Sequence, residues 1–158
     1  MKETLKKYLP IAIFTSFYFL FIDDWFRYAL FVIGVIMATI LLILDEEKLY
    51  SFYQETEHQE GAKDIYLATR STLFLLTLIP LAFFVVSSTG SAIGSGFVLG
   101  LILNLVSEMW LLRDSPEQFS IRFLSQLKKK LSPIQIKFVI WGSIVFFVIL
   151  NLWSAIIR

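Results

Sequence analysis

Cysteine is absent from the 158 residues. That removes disulfides, thiolate nucleophiles, zinc ribbons and cysteine-ligated iron–sulfur clusters, and leaves the redox compartment undetermined. Histidine occurs once, as His58, so no HExxH pair is possible. Charge is scarce as well, at 17% of residues with a net of +1, against about 25% charged in a soluble domain. A nucleic-acid-binding domain with a strong basic bias is therefore excluded, and so is a disordered chain. No nucleophile–base pair, dinucleotide fingerprint, phosphate loop, regular heptad or inverted repeat is present.

What the chain has instead is apolar surface. Hydrophobic residues make up 57% and aromatics 16%, and the mean hydropathy is +0.73. A soluble domain of about 150 residues buries only about 70% of the surface its unfolded chain exposes. The excess points to the bilayer as solvent.

Four stretches approach the roughly 17–25 residues a helix needs to cross about 30 Å of hydrocarbon: 25–44, 65–86, 92–112 and 134–157. A fifth, 8–22, is short, at about 22 Å of helix. Lys2, Lys6 and Lys7 precede it as in a signal peptide, yet no small-x-small cleavage site follows, and Asp23-Asp24 come at once. It is therefore expected to stay as a span, with Asp23 or Asp24 capping the next helix. The expected fold class is all-α: a polytopic integral membrane protein, one membrane domain over residues 1–158. It has five transmembrane helices plus one cytoplasmic amphipathic interfacial helix.

With five crossings and the N-terminus in the cytoplasm, 12 of the 14 Lys and Arg lie inside and only Arg27 and Arg158 lie outside. The C-terminus is then expected outside. Trp25, Tyr28 and Trp153 fall near the outer interface, and Tyr8, Tyr66 and Trp110 near the inner one.

Two cytoplasmic loops follow from that threading. The first, 45–64, carries seven acids and two lysines, a net of −5. Glu55, Glu57, His58 and Glu60 have no recognised ligand spacing, so a solvated acidic loop is expected and no metal site. In the second loop, Asp114-Ser115-Pro116-Glu117 signals a helix start, with capping-box spacing from Ser115 to Gln118. Phe119, Phe123, Leu127 and Leu131 then recur on one face. The expectation is an interfacial helix over about 116–131, with Lys128, Lys129 and Lys130 meeting anionic lipid headgroups.

The most informative row lies in the fourth span. Ala92, Gly96, Gly100, Asn104 and Glu108 recur every four residues along one side. Gly96 and Gly100 form a small-xxx-small pair that permits close helix approach, and Gly34 and Ala38 repeat the theme in the second span. Asn104 and Glu108 invite two readings. As packing groups, Asn104 makes an interhelical hydrogen bond and Glu108 snorkels or pairs with Arg70 or Arg113. As functional groups, they line a polar crevice for an ion, a proton or a small solute. The expected function is a non-catalytic structural or assembly role, packing with itself or a membrane partner through the Gly96/Gly100 face with Ala92 beside it. An oligomeric channel or small-solute transporter using Asn104 and Glu108 is the alternative. No enzyme activity and no cofactor are expected, and the expected partners are membrane lipids, anionic at the cytoplasmic face.

Overall fold

The computed structural model describes residues 2–49, 68–88, 90–124 and 131–157. Six α-helices lie among them: α1 Lys2–Tyr18, α2 Trp25–Leu44, α3 Thr72–Ser88, α4 Ala92–Leu111, α5 Pro116–Phe123 and α6 Pro133–Ile157. Local chemistry sets their starts. Asp24 caps α2, its Oδ1 accepting from the Phe26 amide at 3.0 Å. Ser91 caps α4, its hydroxyl accepting from the Gly94 amide at 3.2 Å. Gly90 ahead of it has φ +56°, which only glycine adopts freely, so the turn into α4 is tight.

The spatial arrangement centres on α4. Of its membrane-length stretch, 72% of residues are buried, against 33% for α2 and 17% for α6. Helix α2 lies along one side of α4 in the same direction: Gly96 meets Phe31, Gly100 meets Val35 and Asn104 meets Thr39. Helix α1 runs the opposite way, with Leu9 and Leu111 lining one groove at the far end and Phe14 against Phe31 nearer the start of α2. Tyr18 stacks on Phe31 with ring centroids 4.1 Å apart and shares a 2.7 Å hydrogen bond with Ser154 of α6. The core is thus a shell of Leu, Ile, Val and Phe around α4.

Among the described residues, three helical stretches are long and apolar enough to cross a membrane: Trp25–Glu47, Ala92–Leu111 and Pro133–Ser154. This corrects the five-span expectation. The first segment is apolar only over Tyr8–Phe21 and tightens into a 3-10 turn at Phe19–Phe21. The 65–86 segment loses its start because Ala68–Arg70 is a separate 3-10 turn, with Arg70 drawn into an ion-pair cluster. Its apolar helix, Thr72–Ser87, is about 24 Å long. Both short helices pack beside the three long ones. Span lengths and apolar composition are those of an integral membrane protein.

The interfacial helix is corrected too. Helix α5 has eight residues, Pro116–Phe123, and Phe119 and Phe123 are both 0% exposed. Its apolar stripe faces the protein, where α5 packs against α6 and the Thr72 hydroxyl at the start of α3 donates to the Phe123 carbonyl. The Ser115 side chain makes no cap hydrogen bond, so the capping box is not formed. Residues 125–130, with Lys128, Lys129 and Lys130, lie outside the described residues, as do Glu55, Glu57, His58 and Glu60.

Candidate functional site

The site begins with the seam between α2 and α4. A Cβ on Gly34 would sit 2.6 Å from the Phe97 amide nitrogen and collide with the Ile93 carbonyl oxygen. One on Gly96 would collide with the Phe31 carbonyl oxygen, and one on Gly100 would lie 2.9 Å from the Val35 Cα. Ala38 is fully buried in the same row. Two backbones in contact over this length require small residues on both sides. Below the glycines, the Asn104 amide donates to the Gly100 carbonyl at 2.8 Å and to the Thr39 hydroxyl at 3.2 Å. Thr39 in turn donates to the Val35 carbonyl at 3.1 Å.

Parallel packing has an electrostatic consequence. It brings the negative ends of two helix dipoles together, and with them Asp45, Glu46 and Glu108. Such a grouping repels itself unless cations intervene. Two guanidiniums do. Arg70 Nε donates to Glu108 Oε2 at 2.8 Å, Arg70 Nη2 donates to Glu46 Oε2 at 3.2 Å, and Arg70 Nη1 lies 3.9 Å from Asp45 Oδ2. Arg122, from α5, donates to Glu46 Oε1 at 2.6 Å and pairs with Glu108 Oε1. Asp45 also accepts from the Thr69 amide at 3.0 Å and from the Thr69 hydroxyl. Arg70 is 1% exposed. The cluster ties the end of α2, the turn before α3, the last turn of α4 and α5 to one another.

The structure gathers some of the sequence-predicted residues and separates others. Gly96 and Gly100 form the seam and Ala92 is buried at the start of α4, all against this chain's own α2 and core. The Gly96/Gly100 face is therefore covered from within the chain. Asn104 and Glu108 lie on the same row but in two different networks. Arg113 does not reach Glu108. It pairs with Asp114 at 3.2 Å and lies 4.3 Å from the Trp110 ring. Sequence reasoning did not place Asp45, Glu46, Thr69 and Arg122 in a site. The available signal was opposite charge at the ends of neighbouring apolar segments, which does not say which ends meet. Among the described residues, no group of His, Asp and Glu is arranged to hold a metal ion.

No family model, curated protein or solved structure matches the chain.

Proposed function

We propose that this is a non-catalytic integral membrane protein with a structural role, built around the α2–α4 seam and locked at one end by the Arg70–Glu108 cluster. One observation carries the reading. The two groups best placed to serve a permeating ion or a substrate are engaged within the chain: Glu108 by Arg70 and Arg122, and Asn104 by Gly100 and Thr39. A carboxylate held by two guanidiniums has little affinity left for a passing cation. Two further polar side chains, Ser143 and Asn151 of α6, bond back to their own helix turns, at the Val139 and Phe147 carbonyls. Oligomerisation or contact with a membrane partner then falls to the lipid-facing surface and not to the covered glycine face.

The charged end is proposed to face the cytoplasm, with the N-terminus on that side and the C-terminus outside. Arg70, Arg113 and Arg122 lie at this end, whereas Arg27 lies at the other, beside Gly90. Anionic lipids are the partners this polarity favours.

The test is ion flux in proteoliposomes for wild type and Glu108→Gln, with assembly of both measured in detergent. The expected result is no flux of common ions by wild type, together with weakened folding of Glu108→Gln. Wild-type flux abolished by Glu108→Gln, with folding unchanged, would replace this reading by the channel or transporter.

A further inference from the structure

Where α4 ends, two tryptophans from different helices meet. The Trp110 and Trp141 rings stand edge to face, with centroids 6.1 Å apart and planes at 88°. Neither is covered: Trp110 is 41% exposed and Trp141 57%. The Arg113 guanidinium lies over the Trp110 ring at 4.3 Å, held there by the attraction between a cation and an aromatic face. Its Nε donates to Asp114 Oδ2 at 3.2 Å, and its terminal nitrogens have no partner among the described residues. On α6, Lys137 is exposed one turn before Trp141, so the two side chains share a face. Lys137 too has no partner among the described residues. Two cations against the Asp114 carboxylate leave this corner with one net positive charge.

The order of these groups along the bundle is the order of groups in a phospholipid. Helices α4 and α6 run in opposite directions, their contacts being Trp110 with Trp141 at one end and, through Tyr18 and Phe31, Ser154 with the start of α4 at the other. Arg113 follows Trp110 and Lys137 precedes Trp141, so both cations lie outward of the ring pair. Inward of it, Val145 continues the Lys137–Trp141 face and is exposed. We infer that this corner binds an anionic phospholipid, with its phosphate between Arg113 and Lys137. Its glycerol and upper acyl carbons lie against the Trp110 and Trp141 rings and Val145. A free phosphate would meet the two cations and leave the rings bare, whereas a lipid covers both. This goes beyond a general affinity for anionic lipid, since it names the residues of one site, and it rests on the membrane placement proposed above.

The test is lipid retention by the full-length protein. It is reconstituted in vesicles of equal phosphatidylglycerol, phosphatidylethanolamine and phosphatidylcholine and re-extracted in mild detergent, and retained lipid is counted by native mass spectrometry. Wild type is expected to keep phosphatidylglycerol in preference to the two zwitterionic lipids, and excess inorganic phosphate is expected not to displace it. Arg113→Gln and Lys137→Gln are each expected to keep about fivefold less, and the double variant about thirtyfold less, the effect of one basic residue each beside an anionic headgroup. Both side chains are exposed, so the single variants are expected to fold as wild type does, and they carry the test if the double variant does not fold. Arg27→Gln, at the opposite end of the bundle, is expected to retain as much as wild type. Equal retention by wild type and the two single variants overturns the inference. So does a loss in Arg27→Gln as large as theirs, a preference for either zwitterionic lipid, displacement by inorganic phosphate, or retention that falls only as folding is lost. Failure of wild type to enter vesicles at all would instead overturn the membrane placement.

Discussion

Arg70 Nε and Glu108 Oε2 lie 2.8 Å apart, across 38 residues of chain, where two parallel helices end. The pair exists because α2 and α4 run the same way. Their aligned C-terminal ends concentrate negative charge, and Arg70 and Arg122 each reach both. A buried ion pair of this kind contributes little net stability when intact. Breaking it is another matter, because the surviving charge stays buried without a partner.

Arg70→Ala is accordingly expected to destabilise the protein by about 3–5 kcal/mol. Arg70→Met combined with Glu108→Gln is expected to lose less than the sum of the two single changes, since the Arg70–Glu108 pair is then removed from both sides, while Asp45 and Glu46 still lose Arg70. Unfolding in mixed micelles of all four proteins yields the coupling. Strict additivity would mean that the two side chains act independently.

Glycine substitutions are expected to differ in sign along the molecule. Gly96→Ala forces a Cβ against the Phe31 carbonyl oxygen and is expected to cost about 1–3 kcal/mol through overpacking. Gly142→Ala meets open space within α6, and helix propensity alone favours alanine by about 1 kcal/mol. Thermal midpoints of the two variants against wild type settle the comparison, and equal shifts would remove the seam from the account.

The Asn104–Thr39 hydrogen bond crosses the seam at 3.2 Å. A double-mutant cycle with Asn104→Leu and Thr39→Val is expected to give a coupling of about 0.6 kcal/mol, the ordinary size for a polar contact between membrane helices. A coupling of zero would mean that Asn104 is held by the Gly100 carbonyl alone.

At the opposite end, Tyr18→Phe is expected to keep the stack on Phe31 and lose only the hydrogen bond to Ser154, about 1 kcal/mol. Tyr18→Ala removes both and leaves a cavity, at about 3–5 kcal/mol. Chemical unfolding of the two variants separates ring from hydroxyl.

Orientation is open to direct measurement. A reporter active only in the cytoplasm is expected to work when fused to the N-terminus and to fail at the C-terminus. Activity at the C-terminal fusion would reverse the proposed polarity of the charged end.

All-α character and the apolar, membrane-length helices within 25–44, 92–112 and 134–157 were legible in the sequence, although 65–86 and the shorter 8–22 read there as further spans. Apolar length and composition are additive along a chain, so a run such as 92–111 declares itself without knowledge of its neighbours. The small-residue row Ala92, Gly96, Gly100 was visible for the same reason, since its spacing is a property of one helix. What the row packs against was not visible. Gly34 and Ala38 were noted separately, and nothing in either helix specifies that the two rows run parallel and in register.

Only the tertiary structure decided the fate of the charges. Arg70 looked like a residue within a long span; the fold draws it out of that span, and α3 becomes too short to match the long helices. Phe119 and Phe123 looked like a lipid-facing stripe, and the bundle end covers them. In each case the alternative partners, lipid or protein, satisfy the same apolar or charged group about equally well. The choice then rests on which surfaces the chain brings within a few ångströms, and no local pattern of residues carries that information.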